Sequence, residues 1–307
     1  MPDSACEPTD ALMSASAADL PKTTDVEESV AEESVEETVI ERRSDWKIVD
    51  VAECYRYREL LYFLIWRDVK VRYKQTVLGA AWAVLQPLAT MIVFSVFLGH
   101  LARTASADIP YPAFAFLGLV PWTFFANAVG SAGSSIVGNQ NLISKVYFPR
   151  LFIPLGTVGA GLVDLAFASV LIVPLLLYYG IMPSWNIVGA VPALALLVIA
   201  ACGVGTFLSA LTVAYRDFRY VVPFMVQLWM FATPCVYLPV EAYSDSRWAS
   251  LLPLNPAYGL ILNFRAAMTG RPLDLVSLAI SGSVAVCLLI GGALYFRRVE
   301  RSFADIV

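Results

Sequence analysis

Few residues in this chain could do chemistry, and the common catalytic constellations are excluded by count. His100 is the only histidine, so Ser/His/Asp, Cys/His and multi-histidine metal arrangements are ruled out. It falls at the end of the first apolar run, where a hydrogen-bonded interfacial residue is the ordinary reading. The five cysteines, Cys6, Cys54, Cys202, Cys235 and Cys287, are scattered and form neither a CxxC pair nor a disulfide framework, so they read as small buried hydrophobes. No G-x-x-x-x-G-K-[ST] loop occurs. The stretch from Gly138 to Lys145 has the lysine but lacks the second glycine, so the chain is not expected to bind ATP through a P-loop. Neither a catalytic site nor a metal site is expected, and energy for any transport would have to come from a partner or a gradient.

Three groups of polar residues remain. Asp164 is the only charge between Leu151 and Tyr215. Ion relays in membranes use several ionisable groups, so a lone carboxylate is expected to turn into the protein and be held by a hydroxyl or an arginine. The cations Lys47, Arg56, Arg58, Arg67, Lys70, Arg72 and Lys74 crowd into residues 46–75 among aromatic side chains. Finally, the segment Asn139-Gln-Asn-Leu-Ile-Ser-Lys145-Val-Tyr-Phe-Pro-Arg150-Leu-Phe-Ile-Pro154 mixes apolar and cationic residues between a polar run and two prolines. Such a mixture suits either a short helix docking into another protein's groove or a plain turn at the membrane surface.

The elements that position these groups follow from composition. The chain has 307 residues, is 58% hydrophobic and only 15% charged, and has a mean hydropathy of +0.67. A water-soluble globular domain is excluded on that basis. The net charge of −4 conceals two opposite parts: residues 1–45 hold thirteen acidic against three basic residues, the remainder twelve against eighteen. A greasy, mildly basic body with its cations in short loops points to a membrane protein oriented by those loops, not to a nucleic-acid binder. Residues 1–45, with the run Glu27-Glu28-Ser29-Val30, Glu32-Glu33-Ser34-Val35 and Glu36-Glu37-Thr38-Val39, repel themselves and predict a disordered acidic tail, not a secretory signal. Residues 46–75 predict an amphipathic interface helix. Tyr62, Ile65, Trp66, Val69 and Tyr73 share one face, while Arg67, Lys70 and Lys74 lie on another, facing anionic headgroups.

A helix needs about 20 residues to cross the hydrocarbon, so the uncharged runs predict an all-α integral membrane domain over 76–307. Six spans are expected, near 77–99, 112–134, 152–179, 187–213, 220–240 and 275–296. The turn Gly180-Ile-Met-Pro-Ser-Trp-Asn186 divides the third from the fourth. Residues 248–264, broken by Pro253, Asn255 and Pro256, predict a re-entrant pair of short helices or an interfacial segment. Alternate loops hold fourteen and four Lys/Arg, the four being Arg103, Arg247, Arg265 and Arg271, which predicts both termini in the cytoplasm.

Several motifs together resemble one family. These are Arg58-Glu-Leu-Leu-Tyr-Phe-Leu-Ile-Trp-Arg-Asp-Val-Lys-Val-Arg-Tyr-Lys-Gln-Thr-Val-Leu-Gly79 followed by Ala81-Trp-Ala-Val-Leu-Gln-Pro87, then Asn141-Leu-Ile-Ser-Lys-Val-Tyr-Phe-Pro-Arg150, Tyr215-Arg-Asp-Phe-Arg219 and Leu254-Asn-Pro256. In this order, over residues 55–301, they are similar to the permease subunits of ABC-2 type exporters for lipid-linked polysaccharides, which serve O-antigen, capsule, teichoic acid or cell-wall galactan. The acidic tail lies outside the likeness.

The resemblance implies a homodimer of six-span subunits in the bacterial cytoplasmic (inner) membrane. Each subunit would bind one of two cytoplasmic ATPase subunits that carry ATP and Mg, so the chain itself would hold no cofactor. Lys145, Val146, Tyr147, Phe148, Pro149 and Arg150 would form the coupling helix, with Arg216, Asp217 and Arg219 a second cytoplasmic element beside it. Cations at Arg56, Arg58, Arg67, Lys70, Arg72 and Lys74 would meet the diphosphate of a polyprenyl carrier or lipid headgroups. A glycan must cross without tight binding at any one point, and aromatic faces suit that. Trp82, Phe94, Phe97, Trp122, Phe124, Phe125, Trp229, Phe231 and Tyr237 lie on the spans that line the family's channel. Some are expected to face a conduit, and the rest to pack or meet lipid. Two alternatives stand beside this reading, an ABC-2 permease for a drug or lipid and a membrane enzyme acting on polyprenyl-linked glycans.

Overall fold

The computed structural model describes residues 57–74, 76, 79, 81–103, 109–143, 145, 148–182, 184–238 and 249–300, all within the body that begins at Lys47. Among them every regular element is helical. The expected acidic tail and Arg56 lie outside the described residues.

Helix α1 runs Arg58–Tyr73, with Glu59 in its first turn and Lys70 and Arg72 in its last, the charge order that the helix dipole favours. Helix α2 is Ala81–Arg103 and α3 is Tyr111–Gly138, which starts behind Pro110 with Pro112 in its first turn, where a missing N–H is harmless. A four-residue turn, α4 (Gln140–Ile143), leads by way of residue 150 into α5, Phe152–Val170. Pro174 cannot donate to the carbonyl of Val170, and the helix breaks at Leu171 before resuming as α6, Ile172–Tyr178. Gly180, at φ +70°, closes this helix: its N–H reaches the Leu177 carbonyl (3.1 Å) and that of Ile181 the Leu176 carbonyl (2.9 Å). The chain continues through a 3₁₀ turn at Trp185–Gly189 into α7, Ala190–Ala214, then α8, Phe218–Phe231. Short 3₁₀ turns at Pro234–Val236 and Ala249–Leu254 precede α9, Pro256–Thr269, and α10, Leu275–Glu300, ends the described chain.

Helix α3 is the axis of the bundle, buried along most of its length, with Phe116, Leu117 and Phe125 fully inside. It packs against α2, α5, α7, α8 and α9, and α7 packs closely on α10. Glycine allows that last approach. A Cβ on Gly203 would lie 2.5 Å from the Leu289 nitrogen, and one on Gly292 would lie 2.4 Å from the Gly203 carbonyl oxygen. Close backbone approach through small residues is the usual way for helices to associate where lipid supplies no hydrophobic drive. A second apolar cluster sits at the end of the bundle where α3 finishes and α5 begins, formed by Leu64, Ile136, Phe148, Phe152, Ile153, Ala210, Val213 and Phe296.

Among the described residues, five stretches are long and apolar enough to cross a membrane: Ala81–Gly99, Tyr111–Gly138, Phe152–Tyr178, Trp185–Ala214 and Leu275–Glu300. They coincide with five of the six expected spans. The expected span at 220–240 is instead a 14-residue helix, α8, ending at Phe231. Its ~21 Å falls short of a bilayer's ~30 Å, because Pro234, which lacks an N–H, starts a 3₁₀ turn that takes over from the helix. The expected segment 248–264 becomes the 3₁₀ turn and α9, which runs on to Thr269 and is buried on most of its positions.

Candidate functional site

The Leu254-Asn-Pro256 motif is a helix start. Asn255 accepts from the Ala257 N–H (3.1 Å) and from the indole Nε1 of Trp229 (2.9 Å), while its amide donates to the Thr233 hydroxyl (2.8 Å). One side chain therefore caps α9 and ties it to the end of α8. Arg265, expected in a loop, is a correction: it lies within α9 and is only 4% exposed. Its guanidinium sits 3.7 Å over the Phe114 ring and donates to the Val236 carbonyl (3.5 Å), which spreads the buried charge over a ring face and a dipole.

At the opposite end of the bundle, the segment expected to couple to a partner divides by burial. Lys145 is exposed, and Val146 and Tyr147 lie outside the described residues. Phe148 is buried in the second cluster. Pro149 accepts from the Phe152 N–H (3.0 Å) and Arg150 from the Ile153 N–H (3.1 Å), so these two residues start α5. The Arg150 guanidinium donates to the Glu300 carbonyl (3.1 Å), fastening the loop to the end of α10. Arg216 and Asp217 are exposed on the tight turn between α7 and α8, closed by a bond from the Phe218 N–H to the Tyr215 carbonyl (3.2 Å), and Arg219 is exposed in the first turn of α8.

The interface helix departs from its expected faces. It rests on α5, where Gly156 and Gly159 leave room: a Cβ on Gly159 would meet the Ile65 side chain at 2.7 Å. The buried side carries Leu64, Ile65, Asp68 and Arg72, two of them charged, while Tyr62, Phe63 and Trp66 stand exposed. Polar partners on α5 make this workable. The Thr157 hydroxyl donates to Asp68 (3.3 Å), whose carboxylate also accepts from Arg67 (2.7 Å). The Arg72 guanidinium and the Tyr73 hydroxyl both donate to the Asp164 carboxylate. The expectation that Asp164 is held by a hydroxyl or an arginine is thus met by one of each. Burial, followed by the hydrogen bond and charge of Asp164, raises the Tyr73 phenol far above its ordinary range and keeps it a donor. Arg72 and Arg67, expected among the phosphate-binding cations, are both paired within the protein, with Asp164 and Asp68 respectively. Lys70 lies 5.4 Å over the Trp66 ring, and Arg58, Lys70 and Lys74 are exposed.

The aromatic candidates also separate. Phe125 and Trp122 are buried and pack in the core. Trp229 meets Phe125 edge-on at 5.1 Å, and Phe94 meets Tyr237 at 6.1 Å. Phe97 and Phe231 are exposed. Trp82, exposed, and Phe124, buried, line a cavity of about 340 Å³ between the end of α1, α2, α3 and α5, with the Arg72–Asp164 pair in its wall. Gln86, Thr123, Asn127 and Ser131 line it too, and none was among the expected site residues. Thr123, Asn127 and Ser131 recur at every fourth position of α3, a spacing present in the sequence that gains meaning only beside Gln86 of α2.

Residues 59–269, from the interface helix to the end of α9, match the family described as ABC-2 type transporter. The chain is 33% identical over 259 residues to the O-antigen export system permease protein RfbA of Myxococcus xanthus, covering 83% of this chain and 98% of that protein. It is 29% identical to the protein of the same name from Klebsiella pneumoniae, over 81% of this chain and 95% of the relative. The polysialic acid transport protein KpsM of Escherichia coli is 29% identical over 77% of this chain and 92% of its own length. With an interface helix bonded to the bundle, five apolar spans and these relatives along their near-entire lengths, the chain belongs to the ABC-2 type transporter family.

Proposed function

We propose that this chain is the permease subunit of an ABC exporter that moves lipid-linked polysaccharide across the bacterial cytoplasmic membrane, driven by ATP hydrolysis in a separate subunit. The observation that carries the reading is the match to nearly the whole length of relatives named as O-antigen export permeases. The geometry supports it, since Lys145 is exposed and the chain just after it is anchored by Phe148 in the core and by Arg150 on Glu300. Anchors of this kind can pass a push from a partner into the bundle, because close-packed interiors transmit strain. ATP and Mg belong to that partner, two copies of which serve a dimer of this chain.

Helix α8 and the residues after it complete a sixth crossing, the 3₁₀ turn adding ~6 Å to the ~21 Å of the helix. Both termini then face the cytoplasm. With the buried Arg265 withdrawn from the loop count, the bias is fourteen to three. A cysteine introduced at position 145 should react with a membrane-impermeant thiol reagent only when the inner face is opened.

Depletion of the protein followed by analysis of lipid-linked glycans at the inner face tests the function. Full-length polymer accumulating there upholds export. Short precursors would point to an enzyme, and an unchanged pool to another cargo.

A further inference from the structure

Two observations about the cavity beside the Arg72–Asp164 pair are not explained by packing. The first is that two neutral amides of its polar lining are left open, although the Thr123 hydroxyl beside them already donates to the Val120 carbonyl (3.0 Å). Gln86 on α2 and Asn127 on α3 are exposed side chains within apolar spans, and neither amide hydrogen-bonds to any described residue. Thr123 and Ser131 stand one helical step to either side of Asn127 on the same stripe. Amides at membrane depth are unfavourable unless something polar meets them, so the convergence of these two on one space calls for a polar occupant.

The second is the charge balance. The one guanidinium in the wall, Arg72, is already bonded to Asp164, and that carboxylate also accepts from Tyr73. A phosphate entering here would find its cation taken and a carboxylate beside it, which is repulsive. The chemistry therefore selects against an anion. Trp82 adds an exposed indole on the same face of α2 as Gln86, one turn away, and aromatic faces stack on the apolar faces of sugar rings while amides take the ring hydroxyls. The volume, about 340 Å³, lies at the small end of ligand pockets, ~300–1,000 Å³, which fits one or two rings and no more.

We propose that this cavity is a binding site for a neutral pyranose ring, with Gln86 and Asn127 taking its hydroxyls and Trp82 stacking on its face, and that it does not hold the carrier's phosphates. The assignment deepens the export reading and rests on it for the presence of a sugar at this depth.

The test uses the full chain in nanodiscs of phosphatidylethanolamine and phosphatidylglycerol, titrated with monoglucosyl diacylglycerol, with maltotriose and with phosphatidic acid. Tryptophan emission is read, and Trp82→Phe isolates the contribution of that residue. The expected result is a saturable change with the neutral glycolipid that vanishes in Trp82→Phe. In Gln86→Leu and Asn127→Ala the half-saturating amount should rise at least fivefold, with melting temperature and dimer fraction unchanged, and phosphatidic acid should act at least tenfold more weakly. Gln86 is exposed, so its variant keeps the test valid should the Asn127 variant fold poorly. A response to maltotriose as well as the glycolipid assigns the ring to a passing glycan, and a response to the glycolipid alone assigns it to a lipid headgroup. Either upholds the site.

Half-saturation unchanged within twofold in the amide variants, an equal response to phosphatidic acid, or no Trp82-dependent signal would each overturn it. So would an Asn127→Ala variant that loses its dimer while titrating normally, since the amides would then pair with a second copy. If binding fails while depleted cells still accumulate polymer, only the cavity assignment falls. If binding holds and no polymer accumulates, only the export reading does.

Discussion

Removing the Asp164 carboxylate is the sharpest probe of how the interface helix is held. Asp164→Ala deletes two hydrogen bonds to a charged acceptor, one from Arg72 and one from Tyr73. Each such bond contributes ~1.5–3 kcal/mol where water is excluded. The site is not fully dry: the Arg72 side chain is 31% exposed and that of Asp164 18%. Solvent therefore returns part of the loss, and the expected destabilisation is ~2–4 kcal/mol. Tyr73→Phe keeps the ring, which meets Phe167 edge-on at 6.1 Å, and forfeits only the hydroxyl, for ~1 kcal/mol. Unfolding in mixed micelles of dodecylmaltoside and SDS, followed by circular dichroism, measures both. The decisive experiment is a double-mutant cycle of Arg72→Met with Asp164→Leu, for which a coupling of ~1–2 kcal/mol is expected. If the two changes were additive within ~0.5 kcal/mol, the pair would not hold α1 to α5 and the reasoning would be refuted.

Four further outcomes are expected. Gly203→Ala should destabilise by ~2 kcal/mol or more, because its Cβ would meet the backbone of Leu289 at 2.5 Å. The control Gly130→Ala, with nothing within 4 Å of its Cβ, should be neutral or mildly stabilising in the same unfolding assay. Phe148→Ala should cost ~3–5 kcal/mol by opening the second cluster. Lys145→Glu should leave stability within ~0.5 kcal/mol yet weaken co-purification with the ATPase. Loss of stability in the Lys145 variant with the complex intact would reverse the roles assigned to the two residues. Asn255→Ala should destabilise by ~2 kcal/mol, more than the ~1 kcal/mol of a simple cap, because the Trp229 indole also loses its acceptor. Tryptophan emission should report that loss.

What was legible in the sequence follows from which quantities survive averaging. Spans are long-window properties, so five were found to within a few residues, and α8 was overextended because hydropathy over 220–240 does not register that Pro234 starts a 3₁₀ turn there. The carboxylate of Asp164 was legible because a lone charge in a long apolar run leaves little choice but a partner inside the protein. Its arginine was not identified beforehand. Counting Arg72 with the headgroup cations assumed that charges on an amphipathic helix face away from the bundle, whereas the glycines of α5 let α1 sit close enough for Asp68 and Arg72 to face inward. Arg265 misled for the same reason, since composition cannot tell a loop cation from one laid over a buried ring. The neutral amides were missed for the opposite reason. Gln86 and Asn127 each lower the hydropathy of their span only slightly, so a window that finds the helix erases them. A polar stripe at helical spacing on one span reads only when a neighbouring span presents its own polar residue at the same depth, and that pairing exists in three dimensions alone. Sites of this kind, built from uncharged groups on separate spans, leave no contiguous motif, and the structure is where they first become visible.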